Sequence, residues 1–116
     1  MIVVLNNGGA IEVTSWKDKV DAILMAWLPG QEAGNSVADI LSGKENPSGK
    51  LSMTFPIKYE DVSSAENFQG LPADKPTEVM YKEGVYVGYR YFNTFNVKPA
   101  YEFGYGLSYT TFEYSD

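Results

Sequence analysis

The chain has 116 residues, 44% of them hydrophobic and 21% charged, with a formal net charge of -6 and neither cysteine nor histidine. That length makes one ordinary domain at most, burying roughly 60–70% of its unfolded surface, and the composition is that of a soluble globular chain. The acid excess without a basic stripe excludes nucleic acid and anionic membranes as partners; the missing residue types exclude disulfides, thiolate metal sites and the commonest general base.

Taken in chain order, Met1 leads straight into Ile2-Val3-Val4-Leu5, a β-branched run without alternation that predicts a strand buried on both sides. Nothing basic precedes it, so the start does not resemble a signal peptide, and the compartment is left open. No apolar run approaches the roughly 20 residues of a membrane helix. Asn6-Asn7-Gly8-Gly9 reads as a loop, because asparagine and glycine tolerate left-handed backbone. Ala10 to Val13 reads as a second extended piece. Ser15 is placed to cap a brief helical turn, with Trp16 and Val20 on one side and Lys17, Asp18 and Lys19 in water. Ala22 to Leu28 is the strongest strand, ended by Pro29, which cannot donate to a ladder.

From about Glu32 to Ser42 the spacing predicts a helix with Val37, Ala38, Ile40 and Leu41 toward one side. Gln31 and Glu32 sit at its start, where side-chain acceptors and a carboxylate suit the free amides and the positive dipole end. Gly43 is placed to stop the helix in the left-handed conformation. Asn46-Pro47-Ser48-Gly49 turns the chain into Lys50 to Phe55, where Leu51, Met53 and Phe55 alternate with Lys50, Ser52 and Thr54, a strand near an edge closed by Pro56. Residues 1–56 therefore read as a βαβ core of α/β class.

Residues 57–82 read as a long surface loop anchored by Tyr59, Phe68 and Leu71. Twelve of the seventeen aromatic residues then fall between Tyr81 and Tyr114. Residues 83–109 read as an aromatic helix, from Glu83 to about Asn93, followed by the glycine-bent turn Phe103-Gly104-Tyr105-Gly106-Leu107. Thr110 to Tyr114 reads as a strand within a closing segment, 110–116.

Several of these blocks form a pattern. Trp27 to Asn35 (Trp-Leu-Pro-Gly-Gln-Glu-Ala-Gly-Asn), Ala38-Asp39-Ile40-Leu41 with Gly43, Asn46 to Leu51 and Thr54-Phe55-Pro56 resemble the C-terminal domain of glycoside hydrolase family 3. Tyr86 to Phe92 and Tyr101 to Thr110 resemble it in the same order, so the likeness spans essentially all the chain. The resemblance implies a partial flavodoxin-like, (α/β)6 sandwich, mostly parallel and three-layered, leading toward a fibronectin type III-like domain. It implies a retaining β-glycosidase, β-glucosidase-like, as the parent, with a β-linked glucoside or oligosaccharide as substrate. In such a parent a (β/α)8 barrel supplies an aspartate nucleophile and the sandwich supplies a glutamate acid/base on a loop. No motif in this chain matches either residue; both are expected upstream of Met1, and the chain is expected to be inactive alone. No cofactor is implied.

The carboxylates present offer no convincing pair for that chemistry. Retaining hydrolysis needs two carboxyl groups roughly 5 Å apart across the scissile bond. Glu32 is the best-placed acid, because open α/β sheets meet ligands beyond the carboxyl ends of their strands. Its ordinary reading, satisfying the first turn of its helix, is favoured. Asn7, Gln31 and Glu32 are the substrate-proximal candidates, and no catalytic or metal-binding residue is assigned. Trp16 and Trp27 could stack on a sugar, yet packing is the preferred role for both. Arg90, among tyrosines, suits an ion pair or a cation–aromatic contact.

The leading reading is thus the closing part of a family 3 domain, with the barrel as its partner and an open sheet edge prone to self-association. The alternatives are a catalytically dead carbohydrate-binding or interaction module, and an unrelated flavodoxin-like small-ligand domain.

Overall fold

In the computed structural model, which describes residues 1–115, strand β1 (Ile2–Leu5) runs parallel to β2 (Ala22–Met25), with Ile2 opposite Ala22 and Leu5 opposite Met25. Parallel strands need a crossover. Here residues 6–21 provide it, including a 3-10 turn at Lys17–Lys19. The parallel unit is therefore β1–crossover–β2. Contrary to expectation, β1 is not buried on both sides: Ile2 and Val4 are exposed while Val3 and Leu5 are half-buried. The strand has one neighbour, and nothing among the described residues covers its Ile2–Val4 face.

Two details of the crossover depart from the sequence expectation. Ala10 to Val13 is not a strand; Val13 is fully buried, and its carbonyl accepts the amides of Trp16 and Lys17 at 3.2 and 2.8 Å. Ser15 does not cap the turn. Its hydroxyl and its amide both donate to the Glu12 carboxylate, at 2.7 and 2.8 Å, because an ionised acceptor makes the stronger hydrogen bond.

Strand β2 stops at Met25, three residues before the expected end. The Ala26 amide still reaches the Leu5 carbonyl at 2.8 Å, but β1 ends there and Trp27 turns away with φ 56°, in left-handed space. Gly30, at φ 72°, opens a 3-10 turn over Gly30–Glu32 that runs into helix α1 (Ala33–Leu41). The expected helix is present to within a residue at each end, and Gly43 follows it at φ 78° as its sequence position required. Its apolar stripe is narrower than expected: Val37 and Ile40 are half-buried, whereas Ala38 and Leu41 are exposed.

The strand expected over Lys50 to Phe55 shrinks to β3 (Phe55–Pro56), which pairs antiparallel with β4 (Pro99–Tyr101) and not with β2. Leu51 is engaged elsewhere. Its amide donates to the Tyr105 carbonyl and its carbonyl accepts the Gly104 amide, both at 2.8 Å. The unit read over 1–56 is therefore split between two small sheets.

In the 57–82 segment a 3-10 turn covers Tyr59–Asp61 and a bridge joins Leu71 to Glu78. The side chains of Tyr59, Phe68 and Leu71 are exposed and do not serve as the expected apolar anchors; Leu71 holds the segment through its backbone alone. Asn67 holds it by its side chain, because a buried side-chain amide must find acceptors. It is buried and donates to the Met80 carbonyl and, at 3.5 Å, to the Glu83 carboxylate. Helix α2 is shorter than predicted, Tyr89–Thr94, since Gly84 (φ 58°) and Gly88 (φ 55°, ψ -137°) hold the preceding residues outside helical space. Thr110 to Tyr114 forms no strand, having no partner among the described residues.

Among the described residues three apolar side chains make up the buried core: Val13 at 0%, Phe55 at 3% and Phe92 at 5% exposure. Phe55 holds the two halves together, edge-on to Trp27 at 6.4 Å and to Tyr101 at 6.3 Å. The radius of gyration is 17.3 Å, against about 13 Å for a compact domain of this length. The accessible surface is 8891 Å², against about 6300 Å² for a folded monomer of this mass. These residues expose far more surface than a self-sufficient domain would.

Candidate functional site

Because β1 and β2 are parallel and in register, the loops that follow them leave the same edge of the sheet. These loops are 6–9 and 26–32, and they touch. A Cβ built on Gly8 would lie 3.4 Å from Leu28 Cδ1, within ordinary van der Waals contact, so the two loops lie side by side. Asn7 is half-buried in the first loop; its Nδ2 donates to the Gly9 carbonyl, and its buried Oδ1 has no hydrogen-bond partner. Gln31 and Glu32 are exposed on the second loop.

Glu32 occupies the residue before α1 but makes no side-chain bond to the helix amides. Its Oε2 accepts the Asn35 side-chain amide at 2.7 Å instead. The backbone at Glu32 (φ -89°, ψ 18°) already continues the 3-10 turn, which displaces the extended geometry a capping side chain needs. The structure brings the three candidates to one edge, with no hydrogen bond recorded between Asn7 and either Gln31 or Glu32.

Several other carboxylates are held by local donors. Glu12 is taken by Ser15, whose hydroxyl first and amide second lower its pKa below the ordinary value. Asp18 lies 3.1 Å from Lys17 Nζ, and Asp39 lies 2.9 Å from Lys44 Nζ. The side-chain hydrogen bond from Lys17 to Asp18 raises the lysine's pKa, and its ammonium also sits 5.9 Å above the Tyr101 ring. Such exposed pairs contribute little to stability. Arg90 rests 5.9 Å from the Tyr89 ring, the cation–aromatic option. Trp27 packs on Phe55, and Trp16 Nε1 donates to the Glu12 carbonyl at 3.1 Å. Among the described residues no group of three acidic, histidine or cysteine side chains could hold a metal ion.

A second feature escaped sequence reasoning. An open cleft of about 190 Å³ lies where β3, β4 and α2 meet, lined by Thr54, Tyr89, Asn93, Glu102 and Phe103 among others. Tyr89 and Phe103 pack on each other at 5.1 Å, and the buried Thr54 hydroxyl has no partner. Glu102 is its single carboxylate. Only the crowding of aromatic residues in 81–114 hinted at it. One acid provides no pair for retaining glycoside hydrolysis.

A parallel strand pair with its loops at one carboxyl edge, a second, antiparallel strand pair and two short helices make a small mixed α/β unit. The comparisons then fix the family. Residues 1–89 match the glycosyl hydrolase family 3 C-terminal domain. Thermostable beta-glucosidase B of Acetivibrio thermocellus is 50% identical over 116 residues, all of this chain but 15% of that protein. Beta-glucosidase B of Emericella nidulans is 47% identical, over 98% of this chain and 14% of its own length. Among solved structures, beta-glucosidase 3B from Thermotoga neapolitana in complex with glucose superposes with a TM-score of 0.93 at 63% identity, over 99% of this chain and 16% of that one. The chain belongs to glycosyl hydrolase family 3, as part of its C-terminal domain. It spans about one-seventh of the length of the curated relatives it matches.

Proposed function

We propose that this chain is the closing part of the sandwich domain of a retaining β-glucosidase, and that it supports a site whose reacting groups lie elsewhere in a longer polypeptide. The observation that carries this reading is the 0.93 TM-score over 99% of the chain to a β-glucosidase solved with glucose. The large exposed surface supports it independently, because so open a chain gains stability by being covered. The complete layer is then a flavodoxin-like, (α/β)6 sandwich, with residues 110–116 leading toward a fibronectin type III-like domain. Parallel strands elsewhere are buried on both faces, so the exposed Ile2 and Val4 are what a further layer of that sandwich would cover.

In this reading the barrel supplies the nucleophile and an earlier loop of the sandwich supplies the acid/base. Asn7, Gln31 and Glu32 lie at the edge that faces the sugar. They help shape the approach to the site and transfer no proton. The unpartnered Asn7 Oδ1 is an acceptor suited to a hydroxyl or amide from outside the chain.

The isolated chain is therefore expected to leave a chromogenic β-glucoside unhydrolysed above the buffer rate. Turnover that disappears in Glu102→Gln or Glu32→Gln would place the chemistry within these residues and overturn the proposal.

A further inference from the structure

Two sequence blocks remain without a role at the sheet edge: the Asn46–Leu51 turn and the Phe103–Thr110 segment. They grip each other across more than fifty residues of chain. Asn46 Oδ1 accepts both the Ser108 hydroxyl and the Tyr109 amide at 2.9 Å, and Asn46 Nδ2 donates to Thr110 Oγ1 at 3.2 Å. Lys50 Nζ donates to the Gly106 carbonyl. Leu51 exchanges backbone bonds with Gly104 and Tyr105. Tyr109 completes the set, its hydroxyl donating to the carbonyl of Ile40 at 2.8 Å. That carbonyl belongs to the last turn of α1 and also accepts the Gly43 amide at 3.1 Å, so Tyr109 adds a second bond to it.

The glycines make the close fit possible. A Cβ on Gly106 would meet the Gly49 carbonyl at 2.8 Å and Lys50 Cδ at 2.9 Å, and Gly104 turns the chain at φ 82°. No residue of the segment is buried, and Leu107 is 76% exposed. Attachment is thus by hydrogen bonds, each of modest net strength, and by two half-exposed ring contacts, Phe103 with Tyr89 at 5.1 Å and Tyr105 with Tyr101 at 5.0 Å; no side chain of the segment is buried to hold it shut. Such a segment opens more easily than the packed residues beneath it.

We propose that residues 103–110 form a strap that opens and closes as one unit over the end of α1, with Asn46 as its pin. Three amides report on it, those of Leu51, Gly104 and Tyr109, while the Lys17 amide, bonded to the buried Val13, lies outside it. Hydrogen exchange on the 116-residue chain tests this directly. Asn46→Ala should accelerate all three reporters together by about tenfold, the equivalent of one to two lost hydrogen bonds, and leave Lys17 unchanged. Asn46→Asp keeps the double acceptor and should accelerate them less than Asn46→Ala does. Gly106→Ala, which forces the strap off its seat without touching Asn46, should accelerate the same three. Acceleration confined to Tyr109, equal acceleration of Lys17, or an Asn46→Asp effect as large as that of Asn46→Ala would overturn the proposal.

Discussion

Phe55 and Glu12 show how single residues hold this chain. Phe55 is buried between Trp27 and Tyr101 and joins the parallel half to the antiparallel half. Phe55→Ala should cost about 3–5 kcal/mol, measured as a fall in the urea midpoint; a loss below 1 kcal/mol would show that the halves do not depend on it. Glu12 acts through charge. Its carboxyl titrates below the ordinary range because Ser15 bonds the ionised form, so its stabilising contribution is fully present above the unfolded pKa and is lost as pH falls through the folded one. Unfolding midpoints taken from about pH 5 down to pH 3 should therefore fall more steeply for the wild type than for Glu12→Gln; parallel curves would contradict the assignment. The residue scale was only partly legible. The Ser15 hydroxyl looked like a cap by type, but which acceptor it meets depends on how the backbone folds back over Glu12.

At the scale of elements, the legible ones were those specified by local chemistry. Helix α1 carries its own signals, with Pro29-Gly30 before it and Gly43 after it, and it stands within a residue of where they put it. β1 and β2 were legible because Ile2 to Leu5 and Ala22 to Leu28 are uninterrupted apolar runs. The misread elements turn on remote partners or on backbone freedom. Lys50 to Phe55 alternates as a strand does, yet its hydrogen bonds go partly to a turn more than fifty residues away. Glu83 to Gly88 has helical spacing, but Gly84 and Gly88 use a conformation that the spacing does not reveal. That Asn7, Gln31 and Glu32 share one edge was legible because loops after parallel strands converge by topology; the aromatic cleft was not, because three separate segments build it. Two glycines test this contrast. Gly34 lies inside α1 and Gly88 just before α2, and neither has a neighbour within 4 Å of an added Cβ. Gly34→Ala should raise stability by about 0.5–1 kcal/mol through helix propensity, whereas Gly88→Ala should lower it by about 1–3 kcal/mol through backbone strain. Thermal unfolding distinguishes them, and effects of the same sign would contradict the dihedral account.

For the whole molecule, the fully buried side chains are few and the surface is that of a body meant to be covered. Its mixed α/β class and its place in family 3 account for that openness, since the same fold is found as about one-sixth of a solved β-glucosidase. The direct measurement is a replacement: these 116 residues exchanged for the matching segment of beta-glucosidase 3B from Thermotoga neapolitana, with hydrolysis of a β-glucoside as the readout. If the chain is a supporting layer, the chimera should keep kcat/KM within about tenfold of the intact enzyme, a loss of roughly 1.4 kcal/mol or less, and Glu32→Gln in the chimera, which removes a charge at the approach but no proton donor, should lower it by less than a further tenfold. A chimera that folds as cooperatively as the intact enzyme yet hydrolyses nothing would contradict the account.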